Sequence, residues 1–343
     1  MKATIYQITW KQYVKNTNLL GDVLDQFKEE LKEETAVKTH FGEPGNNNAL
    51  RGEIIKPAID WMAANKIKGF LTDTNTLYIG KRSVTRDHLE TAKKHGFTEM
   101  GLPVVISEDD DHEFTLTDLP NHYKELPIRL GRELREASSI LCLSHVKGHV
   151  SFGYGGALKN LGMGGASPKG KRVLHAKIIP EVILEKCIQC QTCVRNCPGK
   201  AISLVNDKIT INHERCIGCG ECATVCPQSA IEISEKDSTM CQEKTAVYAY
   251  GLVKDKPLVC VNYLININKV CDCAAYTEER LMDNLGILVS TDPVAIDQAS
   301  LDWINTEAGR NLFKEVNGDD GVAILKMGEE IGLGSRKYTL KKV

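Results

Sequence analysis

Apolar and polar residues follow two periods along this chain, one of two residues and one near 3.6, and the two take turns. Ala3 to Thr9 alternates as a strand does, Leu20, Leu24, Phe27 and Leu31 recur at helical spacing, and Ala36 to His40 is strand-like again. A helix around Ile55 to Ala64, a strand Phe70 to Thr72, a helix Thr85 to His95 closed by Gly96, and a strand Val104 to Ser107 continue the series. A further helix, Ile128 to Ala137, leads into the strand Ser139 to Ser144. Near the other end Thr239 to Val253 reads as helix, and Leu258 to Ile267 and Ile287 to Ser290 as strands. Asp292-Pro293 then opens a helix with Asp as N-cap, Pro in the first position, and Ile296, Ala299 and Trp303 on its inner face. Strands separated by helices are the order of an α/β sheet, which is the predicted fold class.

A segment of different character interrupts this pattern. Of 13 cysteines, eight fall in two runs, Cys187, Cys190, Cys193, Cys197-Pro198 and Cys216, Cys219, Cys222, Cys226-Pro227. Both have the form C-x2-C-x2-C-x3-C-P, the spacing of bacterial two-cluster ferredoxins, in which the fourth cysteine of each run ligates the other cluster. Cys187, Cys190, Cys193 and Cys226 are therefore expected to hold one [4Fe-4S] cluster, and Cys216, Cys219, Cys222 and Cys197 the other. Zinc knuckles, the competing reading, use four ligands in two pairs rather than two runs of four. Gly218 and Gly220 let backbone N–H groups approach cluster sulfurs. Between the runs, Ala201 to Val205 and Lys208 to Ile211 alternate as a hairpin with Asn206-Asp207 as its turn. The chain thus reads as one discontinuous α/β core domain, 1–180 and 235–343, carrying an inserted ferredoxin-like α+β module at 181–234.

Composition narrows the function classes. With 43 basic against 45 acidic residues the net charge is −2, which gives no reason to expect nucleic-acid binding, and 42% apolar residues argue against disorder. No stretch approaches the roughly 18 apolar residues of a membrane span, and Met1 to Trp10 lacks the apolar run of a signal peptide. A cytoplasmic location is expected, where thiols stay reduced and clustered cysteines point to metal or redox chemistry.

The near-neutral total hides a local field. From Ala137 to Pro180 there is no Asp or Glu, yet Lys147, Lys159, Lys169, Lys171, Arg172, Lys177 and three histidines lie there among eight glycines. Backbone N–H groups in such a stretch can line a concavity for an anionic small molecule. Gly165 to Arg172 nearly matches a P-loop, but Arg172 stands where a Ser or Thr would hold magnesium. His145, Lys147 and His149 follow directly on a strand, at the carboxyl end where open α/β sheets place ligands. Cys271-Asp-Cys273 puts two soft donors at i and i+2, either reduced thiols in a turn or, as favoured here, a third metal site or further cluster.

The run His145-Val-Lys-Gly-His149 through Gly153-Tyr-Gly-Gly-Ala-Leu-Lys159-Asn160, the Cys271-Asp-Cys273 pair and Ser290-Thr-Asp292-Pro-Val-Ala-Ile-Asp297 resemble the Fe-S centre proteins called domain of unknown function 362. That resemblance covers nearly the whole chain, including Lys38-Thr-His40-Phe-Gly-Glu43 and Thr72-Asp73 to Tyr78. More distantly, the spacing of His149, Lys159 and His175 is similar to a stretch of the lactate racemase family. That likeness implies His149 as general acid/base, Lys159 as anchor of a cofactor or substrate, and His175 as a metal ligand.

The expected function is an iron-sulfur redox protein. Two [4Fe-4S] clusters would relay single electrons, exchanged with a ferredoxin or redox enzyme, to a site built from His145, His149, Lys159, His175, Cys271 and Cys273. The alternatives are a metal-dependent isomerase or proton-transfer enzyme of the racemase type, and a non-enzymatic electron carrier.

Overall fold

The computed structural model describes residues 2–343 apart from Ile79, Ser151, 177–179, Pro198 and Cys219. Its centre is an eight-stranded sheet: β1 Ala3–Thr9, β2 Thr35–Lys38, β3 Gly69–Thr74, β4 Val104–Ser107, β5 Ser139–His145, β6 Leu258–Leu264, β7 Gly286–Ser290 and β8 Tyr338–Lys342. The spatial order is β8-β1-β7-β6-β5-β2-β3-β4, and every neighbouring pair is parallel except the two that β7 makes with β1 and β6. The fold is mixed α/β with a mostly parallel sheet.

Burial on both faces explains why several strands read as unbroken apolar runs. Along β5, Ile140 and Cys142 belong to one core and Leu141 and Leu143 to the other. The first core is closed by helices α3 Ala157–Gly165, α5 Glu235–Val253 and α6 Pro293–Ala308; the second is closed by the segment from Trp10 to Leu31 and by α1 Gly52–Ala64. Two further helices complete the layers, α2 Thr85–Lys94, whose Ala92 joins the second core, and α4 Pro168–His175, whose Leu174 joins the first. Asp292 caps α6 as its sequence predicts, accepting from the amides of Val294 and Ala295. No helix of the described residues is long and apolar enough to cross a membrane.

Several elements differ from the expected bounds. The helix predicted over Ile128 to Ala137 is confined to Arg132–Glu136. Its first residues are extended instead, because Ile128 bridges Phe114 and Leu130 bridges Ala166, so pairing outside the segment overrides its helical period. Leu20 to Leu31 forms helix only over Asn18–Leu24 and then tightens into a 3-10 turn, Asp25–Glu30. The strand expected from Leu258 to Ile267 stops at Leu264.

In the segment 181–234, Ile202–Val205 and Lys208–Ile211 pair antiparallel about a turn in which Asn206 and Asp207 have positive φ. Glu181–Val182 pairs antiparallel with Ile231–Glu232, so the chain leaves and rejoins the core through adjacent strands. Ser234 then caps α5 by accepting from Asp237 N.

Helix α3 leaves the mouth of β5 and packs against α5 at Gly162, where an added methyl would overlap the Thr245 carbonyl. Gly162→Ala is expected to force the two helices apart and destabilise the protein by about 1–3 kcal/mol, read as a lower denaturant midpoint with unchanged slope.

Candidate functional site

The chain runs from β2 outward to β3 and β4, then returns to place β5 on the other side of β2. This is a topological switch point, and ligands of open α/β sheets bind at the carboxyl ends of the strands beside it. A cavity of about 110 Å³ opens there, far more than the roughly 10–15 Å³ that a single water needs.

One wall is an ion-pair network. Lys38, the last residue of β2, donates its three hydrogen bonds to Asp73 (3.0 Å), Asn160 (2.7 Å) and the Thr39 carbonyl (3.1 Å). Arg82 donates to Asp73 (3.1 Å), Glu43 (3.2 Å) and the Tyr78 hydroxyl (2.7 Å). Burial would raise the Asp73 carboxyl, but Lys38 and His88 hold it well below the usual carboxylate range. Lys171, from α4, reaches the same wall and donates to Thr74 Oγ1 and the Ala166 carbonyl. Burial pulls its ammonium down to about 7.

The opposite wall carries the histidines and the second thiol pair. The strand β5 ends at His145, and Lys147–His149 forms a separate small hairpin with Gly153–Gly155. The three side chains are therefore not aligned on one strand, although all of them line the cavity. Both ring nitrogens of His145 are engaged, Nδ1 with Asp272 (2.8 Å) and Nε2 with the Ile265 carbonyl (2.7 Å). That leaves His145 orienting Asp272, with no ring atom turned to a ligand. His149 packs edge-on against Phe152, whose ring also lies 5.2 Å from the Lys159 ammonium. Burial, with Lys159 second, lowers His149 to about 4, and burial with Lys159 and His149 lowers His175 to about 3. Both imidazoles are thus neutral at pH 7. His175 Nδ1 is shielded from solvent without a hydrogen-bond partner among the described residues.

Cys271 and Cys273 reach the cavity from the loop after β6. A hydrogen bond with Cys273 and the nearby Lys159 hold the Cys271 thiol well below the ordinary thiol value, against the effect of burial. His149, Cys271 and Cys273 have donor atoms within 4.8 Å of one another. Spacing along the chain gave no signal that His149 rather than His175 would meet the thiol pair.

The sequence reading missed Arg82, and it carried Asp297 only within the family resemblance, with no role assigned. Asp297 accepts from the amides of Ala157 and Leu158 and from Asn262, so the amides opening α3 are answered from within the protein rather than by an external anion. An acidic residue opposite a glycine-rich helix start was the available signal.

The eight cysteines of the two runs lie in 181–234, with Cys219 outside the described residues. Cys187, Cys190, Cys193 and Cys226 line one small cavity together with Val182, Ile188 and Ile209. Cys193 and Cys222 are buried in the segment's own core, with Cys197 packed against it and Cys216 half-buried. The two runs repeat one backbone course. Gln189 and Gln191 have φ of 57° and 58°, and the matching Gly218 and Gly220 have 69° and 73°. The amides of Ala201 and Ala230 donate to Cys197 and Cys226 Sγ, each at 3.2 Å. Gly218, Gly220 and Glu221 also line the large cavity, beside Cys273. Burial, with Cys271 second, lifts the Glu221 carboxyl to about 7.

An α/β protein with its site at a sheet switch point is a broad class, and sequence comparison narrows it. The chain belongs to the family described as Domain of unknown function (DUF362), whose model matches residues 35–302. No curated protein matches it. Among solved structures it is similar to a structural-genomics crystal structure of a Thermotoga maritima protein, at 9% identity and TM-score 0.41, covering 85% of this chain and 58% of that one. It is also similar to the lactate racemase apoprotein from Thermoanaerobacterium thermosaccharolyticum, at 11% identity and TM-score 0.37, covering 77% of this chain and 51% of that one. The chain thus spans a little over half the length of these structures.

Removing one member of the ion-pair wall strands the others. Asp73→Ala is expected to destabilise the protein by about 3–5 kcal/mol in denaturant unfolding, because Lys38 and Arg82 lose a buried partner. Asp73 and Asp272 both have folded pKa values below their unfolded ones. Their contribution to stability is therefore complete above about pH 4 and lost as pH falls below it. A wild-type unfolding series from pH 7 to 3 should show that loss, and Asp272→Asn should flatten it.

Proposed function

We propose that this protein is an iron-sulfur redox protein that passes single electrons through two [4Fe-4S] clusters into the cavity at the sheet's carboxyl edge. One observation carries the reading. The loop of the second cysteine run is itself part of the cavity wall, through Gly218, Gly220 and Glu221. The donor set also fits: eight thiols in two runs of matching backbone course, with positive φ at corresponding positions and an amide donated to the fourth sulfur of each run. Cys187, Cys190, Cys193 and Cys226 would hold one cluster, and Cys197, Cys216, Cys219 and Cys222 the other. When bound, such clusters supply one-electron transfer at potentials set by hydrogen bonds to sulfur and by solvent exposure.

The chain's own residues prepare the cavity for a small anionic ligand. Arg82 is answered by Asp73 and Glu43, and Lys147 by Asp272. Lys159 and Lys171 have no carboxylate within ion-pair distance among the described residues. These two lysines face the anion, with the neutral imidazole of His175 beside it as a hydrogen-bonding group. The redox partner outside the cavity would be a ferredoxin or a redox enzyme.

A second reading, proton transfer of the racemase type, is favoured by His149, Lys159 and His175 lining one cavity. An adduct on Lys159 in the intact mass, together with stoichiometric nickel, would support it; an unmodified, nickel-free chain removes it.

Anaerobically purified protein is expected to contain about eight iron and eight sulfide per chain and to give the EPR signals of reduced [4Fe-4S] clusters. Cys222→Ser should lower the iron to about four. Absence of iron and of the signal from folded wild-type protein would overturn the redox reading.

A further inference from the structure

We propose that His149, Cys271 and Cys273 bind one soft divalent metal ion, zinc or a close relative, with three protein ligands and a fourth position open to the cavity. This deepens the redox reading, on which the cavity's role rests, by naming an occupant of the site; the binding of the ion itself stands on geometry alone.

The donors already face a common point. Their ligating atoms lie within 4.8 Å of one another. Around a tetrahedral ion with metal–sulfur bonds of about 2.3 Å and metal–nitrogen bonds near 2.0–2.1 Å, the same atoms would be about 3.5–3.8 Å apart. Closing that gap takes shifts of about 1 Å between donor atoms.

That loop is tied down on several sides. Asp272, between the two cysteines, accepts from His145 (2.8 Å) and lies 3.2 Å from the Lys147 ammonium. Its carbonyl accepts from Glu43 N (2.8 Å), and the Cys271 carbonyl accepts from Asn46 (3.2 Å). The loop turns tightly here, Ala274 N donating to the Cys271 carbonyl at 3.0 Å, and both cysteines line the cavity. The hairpin carrying His149 is anchored to the same loop region by Gly148 N donating to the Asn268 carbonyl at 2.7 Å. Such outer-shell hydrogen bonding orients metal ligands before the ion arrives.

The donor chemistry selects the ion. Two thiolates and an imidazole suit zinc, cobalt, nickel or ferrous iron and not magnesium or calcium. Two thiolates also neutralise a divalent charge, so the neighbouring Lys159 faces a neutral centre rather than a cationic one. Three protein ligands with an open fourth position mark catalytic rather than structural zinc sites. The open position faces a cavity that also holds His175, whose Nδ1 has no partner among the described residues. An anionic oxygen ligand could therefore bind the ion with Lys159 and His175 on either side.

Cobalt(II) is the probe, added to the full chain after anaerobic reconstitution of its clusters and oxidation. Oxidised [4Fe-4S] clusters are EPR-silent, so a high-spin cobalt signal reports this site alone. The expected result is one equivalent of cobalt retained on desalting, with thiolate-to-cobalt charge transfer in the difference spectrum. Affinity should fall at least about tenfold in Cys271→Ser, Cys273→Ser and His149→Ala. Cluster iron and the denaturant midpoint are to be measured for each variant, and Cys273→Ser, being nearly isosteric and only half-buried, guards against simple misfolding. His175→Ala should retain the ion. The proposal is overturned if folded wild type keeps neither cobalt nor zinc, if the three variants bind as wild type does, or if His175→Ala rather than His149→Ala abolishes binding. Cobalt bound by a chain that holds no cluster iron would support this site while removing the redox reading.

Discussion

The carboxylate of Asp73 lies between Lys38 and Arg82, with side-chain exposures of only 3%, 0% and 2%. At that depth, a charge is stable only while its partners remain, since each ion has given up hydration worth several kcal/mol. The pairing therefore acts as a constraint on geometry more than as a source of stability. Lys38 ends β2, Asp73 lies near the end of β3, and Arg82 belongs to the loop that follows. Through Asn160, Lys38 also holds α3 to β5, because the Asn160 amide donates to the Leu143 carbonyl (3.1 Å) and Ser144 Oγ (3.0 Å). Two parallel strands that would otherwise diverge at the switch point are bridged by one lysine and one asparagine. The cavity is consequently preformed, with the cations that face it divided between those already answered and those left for a ligand.

Much of this was readable from the chain, and the limits have physical causes. The strands of the sheet showed in the apolar periods because both faces are buried. The two cysteine runs showed because their members are close in sequence. Lys38, Glu43, Asp73 and Tyr78 stood out through a family resemblance, whereas Arg82, which joins three of them, did not. An arginine in a loop carries no periodic signal, and only burial among carboxylates distinguishes it. The meeting of His149 with Cys271 and Cys273 was equally hidden. It joins residues more than 120 positions apart, brought together because β5 and β6 are parallel neighbours whose following loops emerge at the same edge. Helix limits near Ile128 and Leu24 were misjudged for the opposite reason. Local periodicity pointed to helix; near Ile128 tertiary pairing overruled it, and after Leu24 the helix tightens into a 3-10 turn.

The position of the inserted segment follows from how it is attached. Its first and last strands, Glu181–Val182 and Ile231–Glu232, pair with each other, so both chain crossings lie side by side. The exit is short: Ser234 begins α5 two residues after the second strand ends, and α5 packs along α3. Helix α3 carries Lys159 and Asn160 into the cavity. The wall formed by Gly218, Gly220 and Glu221 and the wall formed by Lys159 are therefore referenced to the same pair of helices. The thiols on the loop after β6 are held separately, through Asp272. Close glycine-mediated contact between two helices is thus the mechanical link between the cysteine-rich segment and the histidine-bearing cavity.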